Sequence, residues 1–395
     1  MKHSKLILPI IVISQFCCTS LWFAGNGVIN DLIVNFNLKA TALGHLTSAV
    51  QFGFIIGTLL FAILTIADRF SPSKVFFISA LLGSLFNLGV IYEGNTLTSL
   101  LILRFLTGFF LAGIYPVGMK IAADYYEKGL GKSLSFLVGA LVLGTALPHL
   151  LKEITNTYPW ESVLITTSTL ALLGGLLMIA RVPNGPYRKV SQKTDLLAFF
   201  SIFKNRTFRA SAFGYFGHMW ELYTFWAFVP FMLKKYSEFN TSVVFNIPML
   251  SFVIIGIGGL ACVISGFISI RIGVKKTAFI ALLLSGICCL VSPIVFTTQY
   301  ETLFIAFLIF WGMVVIADSP LLSTLVVKNV PAEIKGTALT IVNCLGFLIT
   351  IISIQFITVL TEFTDSNSIF LILAIGPLFA LVSLRKKSKT VFSQS

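Results

Sequence analysis

Twelve apolar stretches, each long enough to cross a bilayer, fill almost the whole of this 395-residue chain. A bilayer's hydrocarbon core is ~30 Å thick, which takes about 20 helical residues at ~1.5 Å of rise each. Backbone groups in lipid must be paired within the segment, so such stretches are helices and not strands. They run at 6–30, 42–67, 74–93, 96–122, 131–151, 162–181, 207–233, 242–270, 276–297, 301–325, 335–360 and 367–384. The fold class that follows is an all-α, multi-pass integral membrane protein. Charged residues make up only 11% of the chain, where a soluble domain would carry about 25%. The longest polar stretch, Arg181 to Arg209, is a linker, and no other run between spans is long enough to fold separately. An attached enzyme or nucleic-acid module is not expected.

The net charge of +13 is distributed by side of the membrane. With the N-terminus inside, 23 of the 28 Lys and Arg fall on inner segments, against four outside and Arg104 within a span. That asymmetry is the positive-inside rule, and it places both termini in the cytoplasm. The basic excess is topology and does not call for a nucleic-acid partner. Met1 to Lys5 followed by an apolar run resembles a signal peptide, but the run continues through Trp22 without a small-residue cleavage site. It reads as the first helix. All six cysteines lie inside spans without metal-ligand spacing, which suits packing rather than disulfides, and neither metal nor cofactor is expected.

The chain repeats itself. Asp68-Arg69 with Lys74 after the second span matches Gly266-x-x-x-x-Arg271-x-Gly273-x-Lys275 after the eighth. Glu127-Lys128-Gly129 after the fourth matches Glu333-Ile334-Lys335-Gly336 after the tenth. Pro116 maps onto Pro320 and Trp22 onto Trp226, all at one offset of about 204 residues. Two six-helix halves, 1–181 and 207–395, joined by a basic linker at 182–206, are the expected organisation.

On these residues the chain resembles the major facilitator superfamily over nearly its full length. The family's loop signature, Gly-x-x-x-Asp-Arg-x-Gly-Arg-Lys, survives as Asp68, Arg69 and Lys74, with Leu64 and Ser71 in place of two glycines. A degenerate second copy keeps Gly266, Arg271, Gly273 and Lys275. Arg104-x-x-Thr107-Gly108-x-Phe110-x-Ala112 is similar to the family's fourth-helix motif with Gln and one Gly lost. Residues 113–120 and 217–223 are similar to a cyanate-permease-like branch. The resemblance implies twelve helices in two pseudo-symmetric halves rocking about a central site in the membrane. It implies a cytoplasmic gate at the two loops, in which an Asp is held at the start of the eleventh helix near Glu333 to Gly336. A monomer in the plasma membrane, of bacterial type, is the matching expectation.

Ionisable residues inside a membrane are costly, so they mark the candidate site. Glu221 lies near mid-membrane on the seventh helix, with His218 one turn earlier on about the same face. Desolvation raises a carboxyl pKa and a nearby cation lowers it, so such a group can load and unload a proton as a cavity switches sides. The plainer reading is a structural Glu221–His218 or Glu221–Arg104 pair. Arg104 can hold an anion or serve as a helix anchor. Trp22, Asn26, Trp220, Tyr223 and Trp226 suit a cavity wall, since Tyr and Trp join an apolar body to a hydrogen-bonding tip, though each also suits plain packing. Gln51, His149 and Asn343 form a second tier, as does Asp318, which precedes Pro320 and has a capping role as its alternative.

No ATP-binding element is present, so uphill movement needs an ion gradient. The function expected is a secondary active transporter importing a small polar or anionic solute together with protons, through Glu221 and Arg104. The alternatives are a proton-antiport exporter of a drug-like or siderophore-like compound, and a non-transporting solute sensor. The fifth helix lacks the Gly-Pro-x-x-Gly-Gly run of the family's drug antiporters, which weighs against the exporter.

Overall fold

The structure is a computed structural model that describes residues 6–126, 130–188, 202–241, 243–330, 334–364 and 366–385. All regular secondary structure among them is helical. The first half contains Ile7–Thr19, Ala24–Gly27 and Ile29–Asn35 as a broken first span, then Ala42–Ile63 and Pro72–Gly89. A fourth span follows in two pieces, Leu97–Leu111 and Tyr115–Tyr125, then Leu130–Ile154 and Glu161–Arg181. The second half contains Arg206–Phe239, Ile247–Ile272 and Val274–Val295. The tenth span is again in two pieces, Glu301–Ala317 and Ser319–Lys328. Lys335–Phe363 follows, then a twelfth span that begins as a 3₁₀ turn at Asn367–Ala374 and continues as Ile375–Arg385.

Ten of these spans are long and apolar enough to cross a membrane by length and composition. The exceptions are the first and the seventh. The seventh runs 34 residues, past the expected end at 233 and through Pro230. It is rich in Tyr and Trp, whose polar tips lower its hydropathy. Most of its central residues are buried in protein rather than facing lipid.

The breaks have identifiable causes. In the first span, Thr19 Oγ1 donates to the Gln15 carbonyl at 2.9 Å and Ser20 Oγ to the Cys17 carbonyl at 2.7 Å. Such back-bonding competes with the helix ladder and bends it. The span therefore does not run straight from 6 to 30 but opens at residues 20–23 and again at Val28, ending at Asn35. The fourth and tenth spans break just before Pro116 and Pro320, which lack the N–H the ladder needs. The matched prolines thus produce matched breaks, one in each half.

The halves meet along two seams. The fifth span packs against the eighth, and the second against the eleventh. On the first seam Gly139 and Gly259 face each other, so that a side-chain carbon on either would meet the other's carbonyl oxygen at 3.4 and 3.2 Å. On the second, Gln355 Nε2 donates to the Gly44 carbonyl at 3.0 Å and to Ser48 Oγ at 2.8 Å, near the outer ends. A side chain at Gly44 would run into Thr358 Oγ1, so glycine is what permits this approach. The large exposed side chains are mostly Leu, Ile, Phe and Val on span surfaces, as a lipid-facing exterior requires.

Candidate transport site

The site grows out of the break in the first span. Opening the helix at residues 20–23 frees carbonyls that lipid cannot satisfy. Arg104, 1% exposed, supplies the donors: Nη2 reaches the Leu21 carbonyl at 3.1 Å and the Trp22 carbonyl at 2.7 Å, and Nη1 reaches Asn87 Oδ1 at 2.9 Å. Asn87 in turn donates to Ser168 Oγ at 2.9 Å and Thr167 Oγ1 at 3.2 Å. The guanidinium therefore ties the fourth span to the first and, through Asn87, to the sixth. It forms no ion pair among the described residues.

Fixed in this way, Trp22 projects into the middle of the molecule, where both halves meet. Its ring stacks on Phe347 at 5.6 Å and 27°, and on Tyr223 at 5.9 Å and 29°, with Phe54 tilted at 4.8 Å. Tyr223 also meets Trp226 edge-on at 5.2 Å, and Phe23 meets Trp226 at 6.3 Å. The repeat-related tryptophans, 22 and 226, so belong to one buried cluster drawn from the first, second, seventh and eleventh spans. Neither indole N–H has a hydrogen-bond partner among the described residues, nor does either amide atom of Gln51.

Of the ionisable candidates, His218 and Asp318 come together and Glu221 goes elsewhere. His218 Nδ1 lies 2.8 Å from Asp318 Oδ1, with the two side chains 1% and 2% exposed. Asp318 sits at the break of the tenth span, where its carbonyl accepts from Leu321 and Leu322. The other imidazole nitrogen, Nε2, is buried and unpartnered. Tyr215 lies beside the imidazole, with ring centroids 6.0 Å apart.

Glu221 is fully enclosed by neutral donors of its own half. Trp311 Nε1 donates at 2.7 Å, Ser285 Oγ at 2.9 Å and Cys289 Sγ at 3.2 Å. It pairs with neither His218 nor Arg104, contrary to the pairing its spacing suggested. One helical turn separates residues 218 and 221, yet the first reaches the tenth span's break and the second the space between the ninth and tenth spans.

The remaining candidates divide. Asn26 Nδ2 donates to Thr47 Oγ1 at 2.8 Å, and Trp220 Nε1 to the Ile372 carbonyl at 3.2 Å, both within their own half. His149 is buried with Nε2 unpartnered, and Asn343 is half-buried in the eleventh span. Sequence reasoning passed over Phe54, Asn87, Trp311 and Phe347. A lone Asn in an apolar third span was a usable signal for one of them; a phenylalanine in a membrane helix gives none.

At the inner face, Lys120 Nζ pairs with Asp68 Oδ1 at 2.7 Å and reaches Asp124 at 3.8 Å. Asp68 is thus held by its own half, and among the described residues no ion pair joins it to the start of the eleventh helix; Glu333 lies outside the described residues. Arg69 Nε donates to Thr65 Oγ1 at 3.1 Å, while Lys74, Arg271 and Lys275 are exposed. Gly266 faces Ser135 Oγ, and Gly273 closes the eighth span at a φ of +92°, which favours glycine. Arg188 donates to the Asp68 and Phe70 carbonyls at 2.7 and 2.8 Å, which fastens the first residues of the central linker to the first half. Among the described residues, no three His, Cys, Asp or Glu side chains gather as metal ligands.

Twelve spans in two broken-helix halves around a buried polar and aromatic centre are the architecture of a membrane transporter and not of an enzyme. The chain belongs to the major facilitator superfamily, whose model matches residues 11–354, with a second match over 212–390. It is similar to the putative niacin/nicotinamide transporter NiaP of Bacillus subtilis, with 27% identity over 42% of this chain and 41% of that one. The 4-hydroxybenzoate transporter PcaK of Pseudomonas aeruginosa shares 26% over 39% of this chain and 34% of its own. The efflux pump FUBT of Fusarium oxysporum shares 28% over 35% and 23%. The chain thus spans less than half the length of each curated relative it matches. Among solved structures, an inward-facing bacterial homologue of the lysosomal transporter Spinster superposes with a TM-score of 0.74 at 14% identity, covering 97% of this chain and 98% of that one.

Proposed function

We propose that this protein is a secondary active transporter that imports a small organic solute with protons by alternating access, and that His218 and Asp318 carry the proton. The supporting observation is their 2.8 Å contact in a buried site, where neither Asp318 Oδ1 nor His218 Nε2 makes a hydrogen bond among the described residues. A carboxylate this close favours hydrogen on the facing imidazole nitrogen once the two align, and leaves the other nitrogen to exchange a proton with water or solute. Placed at the break of the tenth span, the pair lies where rocking of the halves can open it to either side. The moving bodies are residues 1–181 and 207–395, with 182–206 as the connection, working as a monomer in a bacterial plasma membrane. Two relatives are named as transporters of niacin or nicotinamide and of 4-hydroxybenzoate, which supports a small, largely anionic cargo.

An antiport exporter is the second reading, favoured by the likeness to an efflux pump. One experiment separates the two. Lumenal pH is followed in proteoliposomes as pools of small anions, amino acids and sugars are added, for wild type and His218→Gln. Acidification by one pool, lost in the variant, is the symport result; alkalinisation of an acid-loaded lumen is the antiport result. Uptake that is indifferent to pH and unimpaired in His218→Gln would remove the proton role.

A further inference from the structure

The central aromatic cluster carries hydrogen-bonding groups that its own rings cannot use. Trp22 Nε1, Trp226 Nε1 and both amide atoms of Gln51 are buried and without partners among the described residues. Buried polar groups in folded proteins are nearly all paired, because an unpaired one forfeits its bond to water. Two of these atoms belong to the cluster's own indoles, and Gln51 precedes Phe54 by one turn on the same face of the second span; together they point to an occupant that the closed rings exclude.

The walls say what shape that occupant has. Trp22, from the first half, lies within 30° of parallel to both Phe347 and Tyr223, from the second. If the halves part by about 3.5 Å, roughly one ring thickness, a flat molecule fits between these faces with both of its own faces in contact. A globular or puckered solute would touch edges only. The charges say what sign it has. Arg104 is bonded to the carbonyl of Trp22 itself and has no carboxylate partner among the described residues, so the first half presents an uncompensated cation beside the cluster. The buried carboxylates of the second half lie apart from these rings: Asp318 Oδ1 sits 2.8 Å from His218 Nδ1 at the break of the tenth span, and Glu221 accepts from Trp311, Ser285 and Cys289. Three of the four unpartnered atoms, Trp22 Nε1, Trp226 Nε1 and Gln51 Nε2, are donors, so the cluster suits a ligand that brings acceptor oxygens.

We infer that this cluster binds substrate and that the substrate is a small planar aromatic or heteroaromatic carboxylate. Its ring enters between Trp22 and the Phe347–Tyr223 pair, and its carboxylate accepts from Trp226 Nε1 and Gln51 Nε2. This rests on the transport reading above. It adds that the rings now stacked on each other are the closed form of the binding site.

The test uses the purified full chain in lipid nanodiscs, with benzoate, nicotinate, cyclohexanecarboxylate and glucarate as probes. Binding is read by intrinsic tryptophan fluorescence and by calorimetry. Benzoate or nicotinate is expected to bind saturably, and the puckered cyclohexanecarboxylate about tenfold more weakly for want of stacking. Trp226→Phe keeps a ring but loses the N–H, and is expected to weaken benzoate roughly 5- to 100-fold, read below the variant's own melting transition because the smaller buried ring also lowers stability. Equal affinity for benzoate and cyclohexanecarboxylate, or no saturable binding of either aromatic acid, overturns the assignment. The proteoliposome pH assay with the same probes separates the two proposals. Glucarate acidifying the lumen while benzoate stays silent sinks the aromatic site and leaves proton-coupled import standing. Saturable benzoate binding without any proton movement does the reverse.

Discussion

His218 Nδ1 lies 2.8 Å from Asp318 Oδ1 in a site that is about as dry as the centre of a soluble protein. Removing one member of a buried pair leaves the other uncompensated, at a cost of about 3–5 kcal/mol, whereas removing both with shape-matched apolar groups can be neutral. Asp318→Leu is therefore expected to lower stability strongly, and the double variant His218→Leu/Asp318→Leu to recover much of it. Thermal unfolding of the two singles and the double closes the cycle. A strictly additive double would mean that the two side chains do not interact.

Glu221 gives a contrasting expectation. Its three contacts come from an indole N–H, a hydroxyl and a thiol, and a glutamine can accept at least two of them through its carbonyl oxygen. Glu221→Gln should retain substrate-driven proton movement, with a stability change of about 1 kcal/mol or less. Glu221→Leu should cost about 1–3 kcal/mol for each donor left unpaired. If Glu221→Gln folds normally but loses proton movement, the carboxylate of the seventh span is the proton carrier after all, and the His218 assignment falls.

Much of this architecture was legible in the sequence, and the reasons for what was not are physical. Span number and the two-fold repeat follow from hydropathy and one recurring offset, both of them properties of single residues. Pro116 and Pro320 stand out as a matched pair, yet the spans were expected to run through 96–122 and 301–325; a missing N–H acts locally, and both spans break just before their proline. The break at 20–23 was not visible, since Thr19 and Ser20 bend a helix only weakly and the carbonyls it opens are satisfied by Arg104 from another helix. For the same reason, the candidates could be gathered as a group of buried polar residues but not sorted into partners. Helical spacing put Glu221 and His218 on neighbouring positions; which neighbour each reaches is fixed by the rotation of the ninth and tenth spans.

Arg104 tests how much the opened first span depends on it. A lysine can place one charge but not the fork that reaches the Leu21 and Trp22 carbonyls and Asn87 together. Arg104→Lys is expected to cost about 2–4 kcal/mol through the backbone carbonyls left short of donors. It should also loosen the ring stack that Trp22 leads, seen as a red shift in tryptophan emission. Wild-type emission together with wild-type stability in Arg104→Lys would show that the break holds itself open.

Gly44 tests the direction of closure. Its missing side chain lets the outer end of the second span lie against Thr358, and Gln355 then bonds across the seam to the Gly44 carbonyl and Ser48. A side chain at residue 44 meets Thr358 Oγ1 directly, so Gly44→Leu cannot adopt this arrangement without parting the outer ends of the second and eleventh spans. Alternating access then calls for the opposite ends of the halves to close in exchange. The variant is expected to favour a form open to the outside. A cysteine introduced at Ser48 in a background lacking the six native cysteines should then react with an impermeant maleimide at least about tenfold faster than in the Gly44 parent, the ratio for a conformational bias of ~1.4 kcal/mol. Pairing it with Thr358→Gly, which removes the obstructing side chain, should return labelling toward the parent rate. Fast labelling that survives Thr358→Gly would place the obstruction elsewhere on the seam.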